Sequence, residues 1–374
     1  MTGRRRVLAT LCFTQLTGWG VLYYGFAVLQ ESIVADTGWS LSAVAGAFTA
    51  GQVAAAVAGV AIGRLLDARG PWLPMTAGSA LAVPAVAVVA SAGTVGWFVA
   101  GWLLAGVAMA GVLYAPAFAA ITGWFQGPDR NRALTVLTVA GGLASTVFGP
   151  LTAALHSTLS WRQTYLALAA LLVATTLAHA VGLRGAWPAR PRGRRSAVEV
   201  RGVVRSRAFL ALTTALTITS LCSTAVVVGL VPMLREHGVP LGTAGLLLGL
   251  GGVGQVAGRL GYAPFASRLG PVGQTVVVLA VLSLTTALLG SAAAVPVLVA
   301  VVLVAGAARG ALTLLKAVAV SDRWGVVHYG RLTGILALPV TLAAASAPWA
   351  SASLATSWFF RYSSVRRLYS RVPS

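Results

Sequence analysis

The chain has 374 residues, 57% of them hydrophobic and 9% charged, with a mean hydropathy of +0.85; a soluble domain carries about a quarter charged residues. That balance excludes a soluble globular enzyme and a disordered chain. Twenty-seven basic against seven acidic residues give a formal charge of +20, but the arginines form short clusters between long apolar runs instead of one water-facing surface, so the expected partner is a lipid bilayer and not a nucleic acid.

A helix crossing a hydrocarbon core of about 30 Å needs about 20 mainly apolar residues. Arg4, Arg5 and Arg6 precede the first such run, at 7–29. It imitates a secretory signal but ends without a small-residue cleavage site, so it reads as a retained first span. Spans follow at 41–66, 73–92, 95–121, 133–155 and 163–183. A polar interruption at 184–207 then brings Pro188, Pro191 and eight arginines. Five further spans occupy 208–233, 241–263, 273–293, 296–319 and 332–354. Gly, Ala, Ser and Thr run through nearly all of them, as helices packing closely in lipid require. Cys12 and Cys222 lie inside apolar runs without metal-type spacing and say nothing about redox compartment.

The loops set the orientation. With the N-terminus inside, the inner segments hold Arg69, Arg130, Arg132, Arg268, Arg323 and Arg331 beside the two main clusters, whereas the outer loops hold only Arg162 and Arg235. A multi-pass protein of the cytoplasmic (inner) membrane with a cytoplasmic N-terminus is expected.

The two sides of the polar interruption repeat one another. Gly51-Gln52-Val53-Ala54 recurs as Gly254-Gln255-Val256-Ala257, Gly70-Pro71 as Gly270-Pro271, and Gly38 and Leu41 as Gly238 and Leu241. Such parallel repeats are the organisation of many secondary transporters. The expected fold class is all-α transmembrane, with an N-terminal six-helix bundle at 1–185, a linker at 186–207, a five-span bundle at 208–355 and a basic tail at 356–374. Pairing Arg132 with Arg331 and Pro150 with Pro348 leaves the second bundle one helix short. The residues from Thr356 cannot span, and eleven spans would put Arg361, Arg366, Arg367 and Arg371 outside, against the charge rule. Loss of a twelfth helix, by truncation or a shifted reading frame near residue 352, is therefore expected. The alternative is a functional eleven-span variant with an interfacial tail.

Gly63-Arg64-Leu65-Leu66-Asp67-Ala68-Arg69-Gly70-Pro71 closes the second span. A glycine permits close approach and a tight turn, and a carboxylate there can accept charge-assisted hydrogen bonds from a neighbouring helix end or arginine. Gly63, Asp67, Arg69 and Gly70 are the expected conformational latch. The stretch resembles the loop motif of the major facilitator superfamily, Gly-x-Leu-x-Asp-Arg-x-Gly-Arg-Arg, matching at Gly63, Leu65, Asp67 and Gly70 and departing at Ala68 and Pro71-Trp72. The resemblance implies the major facilitator fold, two parallel six-helix pseudo-repeats around a central cavity. Three patches are similar to the monocarboxylate transporter and oxalate/formate antiporter group: Gly18 to Val28 with Gly38-Trp39-Ser40, Gly258-Arg259 with Arg268 and Gly270, and His328-Tyr329-Gly330-Arg331.

An ionisable group inside a span marks a cavity or pathway by default, and arginine offers a planar fork matched to a carboxylate. Arg259 in the eighth span is such a group, and the resemblance implies that its position holds the substrate carboxylate. Its alternative is snorkelling to the interface with Arg268. Arg309 is expected to line the cavity, while Lys316, the only lysine, is expected to snorkel toward Asp322. Tyr23, Tyr24, Tyr114, Gln52 and Gln255 can donate hydrogen bonds from inward faces, although helix packing or an interfacial place explains the tyrosines equally well. Gly141, Gly142, Gly149 and Pro150 resemble the Gly-Pro-rich motif of exporters. No carboxylate lies deep in a span, and Gln255 stands where proton-coupled relatives place Asp, so proton symport is not supported. The histidines, His156, His179, His237 and His328, read as solvated or satisfied imidazoles at span ends.

No phosphate loop and no zinc spacing occurs. No metal, cofactor or catalytic residue is expected, and the chain is read as a non-enzyme. The expected function is secondary active transport of a small organic anion by alternating access, in a monomer. The alternatives are efflux of amphipathic drugs or metabolites, and a non-transporting or inactive truncated membrane protein.

Overall fold

A computed structural model describes residues 3–185, 196–236, 241–291 and 295–347. The tail at 356–374, His237 and residues 186–195 of the polar interruption lie outside the described residues. The first span is a continuous helical run of α1 (Gly3–Trp19), a π segment (Gly20–Tyr24) and α2 (Gly25–Thr37). It is followed by α3 (Leu41–Arg69), α4 (Trp72–Ala90), α5 (Val95–Val112) with α6 (Tyr114–Trp124), α7 (Gly127–Gly142) with α8 (Ala144–His156), and α9 (Trp161–Gly182). The second half holds a short α10 (Ser196–Arg205), α11 (Arg207–Glu236), α12 (Leu241–Ala266), α13 (Pro271–Ser291), α14 (Val295–Val318), α15 (Ser321–Trp324) and α16 (Tyr329–Ala347).

Among the described residues, nine helical segments are long and apolar enough to cross a membrane. Two of the eleven expected spans fall outside that set but are present as helices: the first, interrupted by its π segment, and the eighth, α12.

Local sequence dictates the helix starts at one end of the bundle. Ser40 and Thr94 cap α3 and α5 through side-chain oxygens that accept the Ala43 and Trp97 amides at 3.2 Å each. Ser160 and Gln163 form a reciprocal capping box at α9. Gly38 and Gly70, at φ 69° and 75°, end α2 and α3 in a backbone conformation that favours glycine. Beyond the apolar run 7–29, at the exposed end of α2, Asp36 accepts from Trp161 at 2.8 Å and pairs with Arg162. The Trp161 hydrogen bond, then the Arg162 guanidinium, hold the Asp36 pKa below its ordinary value.

Two spans break, and one break has a clear cause. Pro116 has no N–H to give the Val112 carbonyl one turn back. That carbonyl accepts instead from the Gln15 amide at 2.6 Å, and the chain kinks at Leu113 between α5 and α6. The outer face of α9 shows what solvent the fold expects: Leu166, Val173, Leu177 and Val181 are 45–64% exposed, while Thr164, Thr175 and His179 point inward and are buried. That is the reverse of a soluble helix.

The repeat is visible in three dimensions. The helices starting at Leu41, Trp72 and Val95 have counterparts starting at Leu241, Pro271 and Val295. Gly51 and Gly106 bring α3 and α5 backbone to backbone, and Gly254 and Gly306, then Gly258 with the Ala307 carbonyl, do the same for α12 and α14. The fold is two parallel helical pseudo-repeats. One apolar cluster draws on both, with Leu66, Phe118 and Leu134 meeting Tyr262, Leu312 and Leu336. A second, with Phe26, Trp102 and Tyr165, belongs to the first half alone, and a third, with Leu230, Leu247 and Leu298, to the second. The described halves therefore share a core at the Asp67 end and keep separate cores at the Ser40 end.

Candidate functional site

The latch stretch is assembled by the end of α3 and the start of α16. The first amides of a helix have no intrahelical partner and carry partial positive charge. Asp67 takes two of them: its Oδ1 accepts Gly330 N–H and its Oδ2 accepts Arg331 N–H, both at 2.8 Å. Gly63 and Gly330 pack so closely that a Cβ on either would meet the other's carbonyl oxygen inside van der Waals contact, and one turn further a Cβ on Gly334 would meet the Gly59 carbonyl. Gly70 turns the chain after α3. Arg69 stands apart from this contact and lines a pocket with Trp72 and Arg184. A second clasp joins the halves nearby: Arg130 at the start of α7 donates to Asp322 Oδ1 at 2.6 Å and to the Ser321 hydroxyl at 3.2 Å.

Above the Asp67 clasp lies a cavity of about 400 Å³ between α1, α3, α5 and α6 of the first half and α14 and α16 of the second. Gln52, Tyr114, Thr313, Lys316, Thr333 and Thr341 are among its polar lining, and Ala55, Ile62, Leu113, Phe118 and Val340 are among the apolar residues. Among the described residues, no carboxylate belongs to the lining. Gln52 also reaches the Met109 sulfur at 3.6 Å.

Lys316 corrects the expectation that it snorkels toward Asp322. Asp322 is already engaged by Arg130 from the other half, and Lys316 turns to the central cavity instead. Arg259 is 7% exposed and donates from Nη1 to the Thr138 carbonyl of α7 at 3.1 Å. Tyr114, which does line the cavity, donates to the same carbonyl at 3.3 Å. Arg259 from the second half and Tyr114 from the first thus converge on one oxygen of the first half's fifth span. Gly141 and Gly142 make the room, since a Cβ on the first would crowd the Tyr114 hydroxyl and on the second would overlap the Arg259 guanidinium.

The remaining expected residues are dispersed. Arg309 lines a different cavity, of about 310 Å³ inside the second half, beside Thr219, Cys222, Ser223 and Thr286. Gln255 is half-buried on α12, its carbonyl against Gly310, outside the lining of the central cavity. Tyr23 and Tyr24 stack edge-on against each other at 5.4 Å in an aromatic group with Trp19 and Phe48. Of these rings, Trp19 reaches the cavity. Two histidines have hydroxyl partners: His156 meets Ser32 at 2.7 Å and His179 meets Ser79 at 3.2 Å. Among the described residues, no group of three His, Cys, Asp or Glu side chains is placed to hold a metal ion.

A profile of the Major Facilitator Superfamily matches residues 8–289. The chain belongs to that superfamily. A comparison with curated protein sequences finds no match. Solved structures of the same fold include the human organic anion transporter MFSD10 (TETRAN), at 19% identity, TM-score 0.68 and 92% coverage of each chain. The major facilitator FucP in the outward conformation aligns at 14% identity and TM-score 0.67, over 93% of this chain and 98% of that one. The proton:xylose symporter XylE bound to 6-bromo-6-deoxy-D-glucose aligns at 13% identity and TM-score 0.68, over 96% and 90%. At these identities the likeness establishes the fold. This major facilitator is a multi-pass membrane protein of a transporter family, and Asp67 of its Gly63–Pro71 motif contacts Gly330 and Arg331 of the other half.

Proposed function

We propose that this major facilitator carries a small organic anion by alternating access, in the manner of the monocarboxylate and oxalate/formate group that its motifs resemble. The observation that carries this reading is Lys316, a cation facing the cavity between the halves where the lining holds no carboxylate to neutralise it. A buried cation without a counter-charge is costly in a membrane, and an anionic ligand would offset that cost. Thr313, one turn before Lys316 on α14, and Thr333, Gln52 and Tyr114 across the cavity offer hydrogen bonds to an anion. Arg259 is one carbonyl away: separation of the halves would release it from Thr138 to take part in the same site.

The shared core at the Asp67 end and the separate cores at the Ser40 end support a rocking motion in which the Asp67 and Arg130 clasps open as the opposite end closes. The arginine-rich loops argue that the Asp67 end faces the cytoplasm. A second reading, efflux of amphipathic compounds, is favoured by the apolar share of the lining, from Ile62 to Val340.

Uptake into proteoliposomes separates the two. Labelled small carboxylates are expected to enter with the native chain, and Arg259→Glu and Lys316→Met are expected to lower the rate at least tenfold. Carboxylate uptake indistinguishable from empty vesicles, together with extrusion of amphipathic cations, would overturn the anion reading in favour of efflux.

A further inference from the structure

At the outer edge of the first half, on the Asp67 end, a pocket of about 340 Å³ is lined by Arg69, Trp72, Trp124, Leu183 and Arg184, with Pro71 at its floor. Neither clasp uses these residues. We propose that this pocket binds the phosphate of an anionic phospholipid, with Arg69 and Arg184 holding the headgroup and the two indoles receiving the glycerol and upper acyl region.

Charge comes first. Arg69 and Arg184 both line the pocket, and among the described residues its lining holds no carboxylate; the nearest acid in sequence, Asp67, is occupied by the two amides of α16. A planar guanidinium fork matches phosphate oxygens, and basic pockets between spans are where anionic headgroups dock. The pocket is also held in shape. The Trp72 indole donates to the Ala180 carbonyl at 2.9 Å, the Arg184 guanidinium lies over the Trp72 ring at 5.9 Å, and Arg6 donates to the Arg184 carbonyl at 2.7 Å.

Position selects a lipid over a free phosphate. Leu177 and Val181, 61% and 64% exposed, form the lipid-facing stripe of α9. Arg184 follows Val181 by three residues, just beyond the end of α9 at Gly182, so the apolar belt ends beside the cationic pocket. Trp72 and Trp124 are the residue type that settles at the headgroup level. A phosphate attached to acyl chains can satisfy arginines and stripe together; inorganic phosphate satisfies the arginines alone.

The test is the thermal stability of the full chain in nanodiscs of phosphatidylcholine, of phosphatidylcholine with phosphatidylglycerol, and of phosphatidylcholine with added inorganic phosphate, since a ligand preferring the folded state raises the melting temperature. Phosphatidylglycerol is expected to raise it, and inorganic phosphate is not. The double variant Arg69→Gln/Arg184→Gln is expected to lose that rise, whereas Arg268→Gln, the loss of one charge at an exposed site on the same end, is expected to keep it. Native mass spectrometry reads the same variants independently, with a retained phosphatidylglycerol adduct expected in the native chain and in Arg268→Gln alone. An equal rise with inorganic phosphate, a rise that survives in the double variant, or a rise lost in Arg268→Gln would each overturn the proposal.

Discussion

At the scale of single residues, the account turns on where three cations point. Arg259 was legible as an intramembrane arginine, but its partner was not, because the Thr138 carbonyl lies 121 residues away in the other half. Lys316 was misread for the same reason. Its nearest acid in sequence is Asp322, and only the fold reveals that Arg130 holds that carboxylate. Seven residues on a helix return to nearly the same face, yet Arg309 and Lys316 enter different cavities because α14 borders both. Gly142 offers a direct check. A side chain there would overlap the Arg259 guanidinium, so Gly142→Ala is expected to cost about 1–3 kcal/mol by overpacking and to expose Arg259. Thermal unfolding reads the first effect and reactivity of Arg259 toward a guanidinium reagent the second. Unchanged stability with an unreactive Arg259 would mean that the packing around Thr138 is looser than described.

At the scale of elements, helix starts were written locally and helix breaks were not. Ser40, Thr94 and the Ser160/Gln163 box carry their own hydrogen-bonding partners within one turn, and α3, α5 and α9 start within two residues of the expected spans. The kink at Leu113 depends on Gln15, a residue of another helix. Replacing it in Gln15→Leu leaves the Val112 carbonyl buried without that donor, and is expected to cost about 1–3 kcal/mol in thermal unfolding. No change would assign the kink to Pro116 alone. The Asp67 contact belongs to this scale as well, since its acceptor oxygens cap a helix of the opposite repeat. Asp67→Asn keeps the shape but removes the charge, and is expected to weaken closure by about 0.5–2 kcal/mol. Spin labels on α3 and α16 would then report a growing population of longer distances. A distribution identical to that of the native chain would remove Asp67 from the latch.

At the scale of the whole molecule, the repeat near 200 residues announced two like halves, and the glycine pairs Gly51/Gly106 and Gly254/Gly306 show what the repeated letters are for. The sequence pattern could not reveal which end is joined, because that follows from contacts between halves. The far end has its own pH dependence. Asp36 is held below its ordinary pKa by Trp161 and Arg162, so its contacts are complete above the ordinary carboxylate range and are lost as pH falls through the lowered value. The native melting temperature is expected to decline over that acidic window more steeply than that of Asp36→Asn. Parallel curves would show that the contact contributes nothing.

The central claim is that an organic anion sits against Lys316 between the halves. Its most direct measurement is thermal stabilisation of the detergent-solubilised full chain by a panel of small carboxylates, read for the native chain, Lys316→Arg and Lys316→Met. The account predicts concentration-dependent stabilisation in the first two and its loss in Lys316→Met; stabilisation that persists undiminished in Lys316→Met would contradict it.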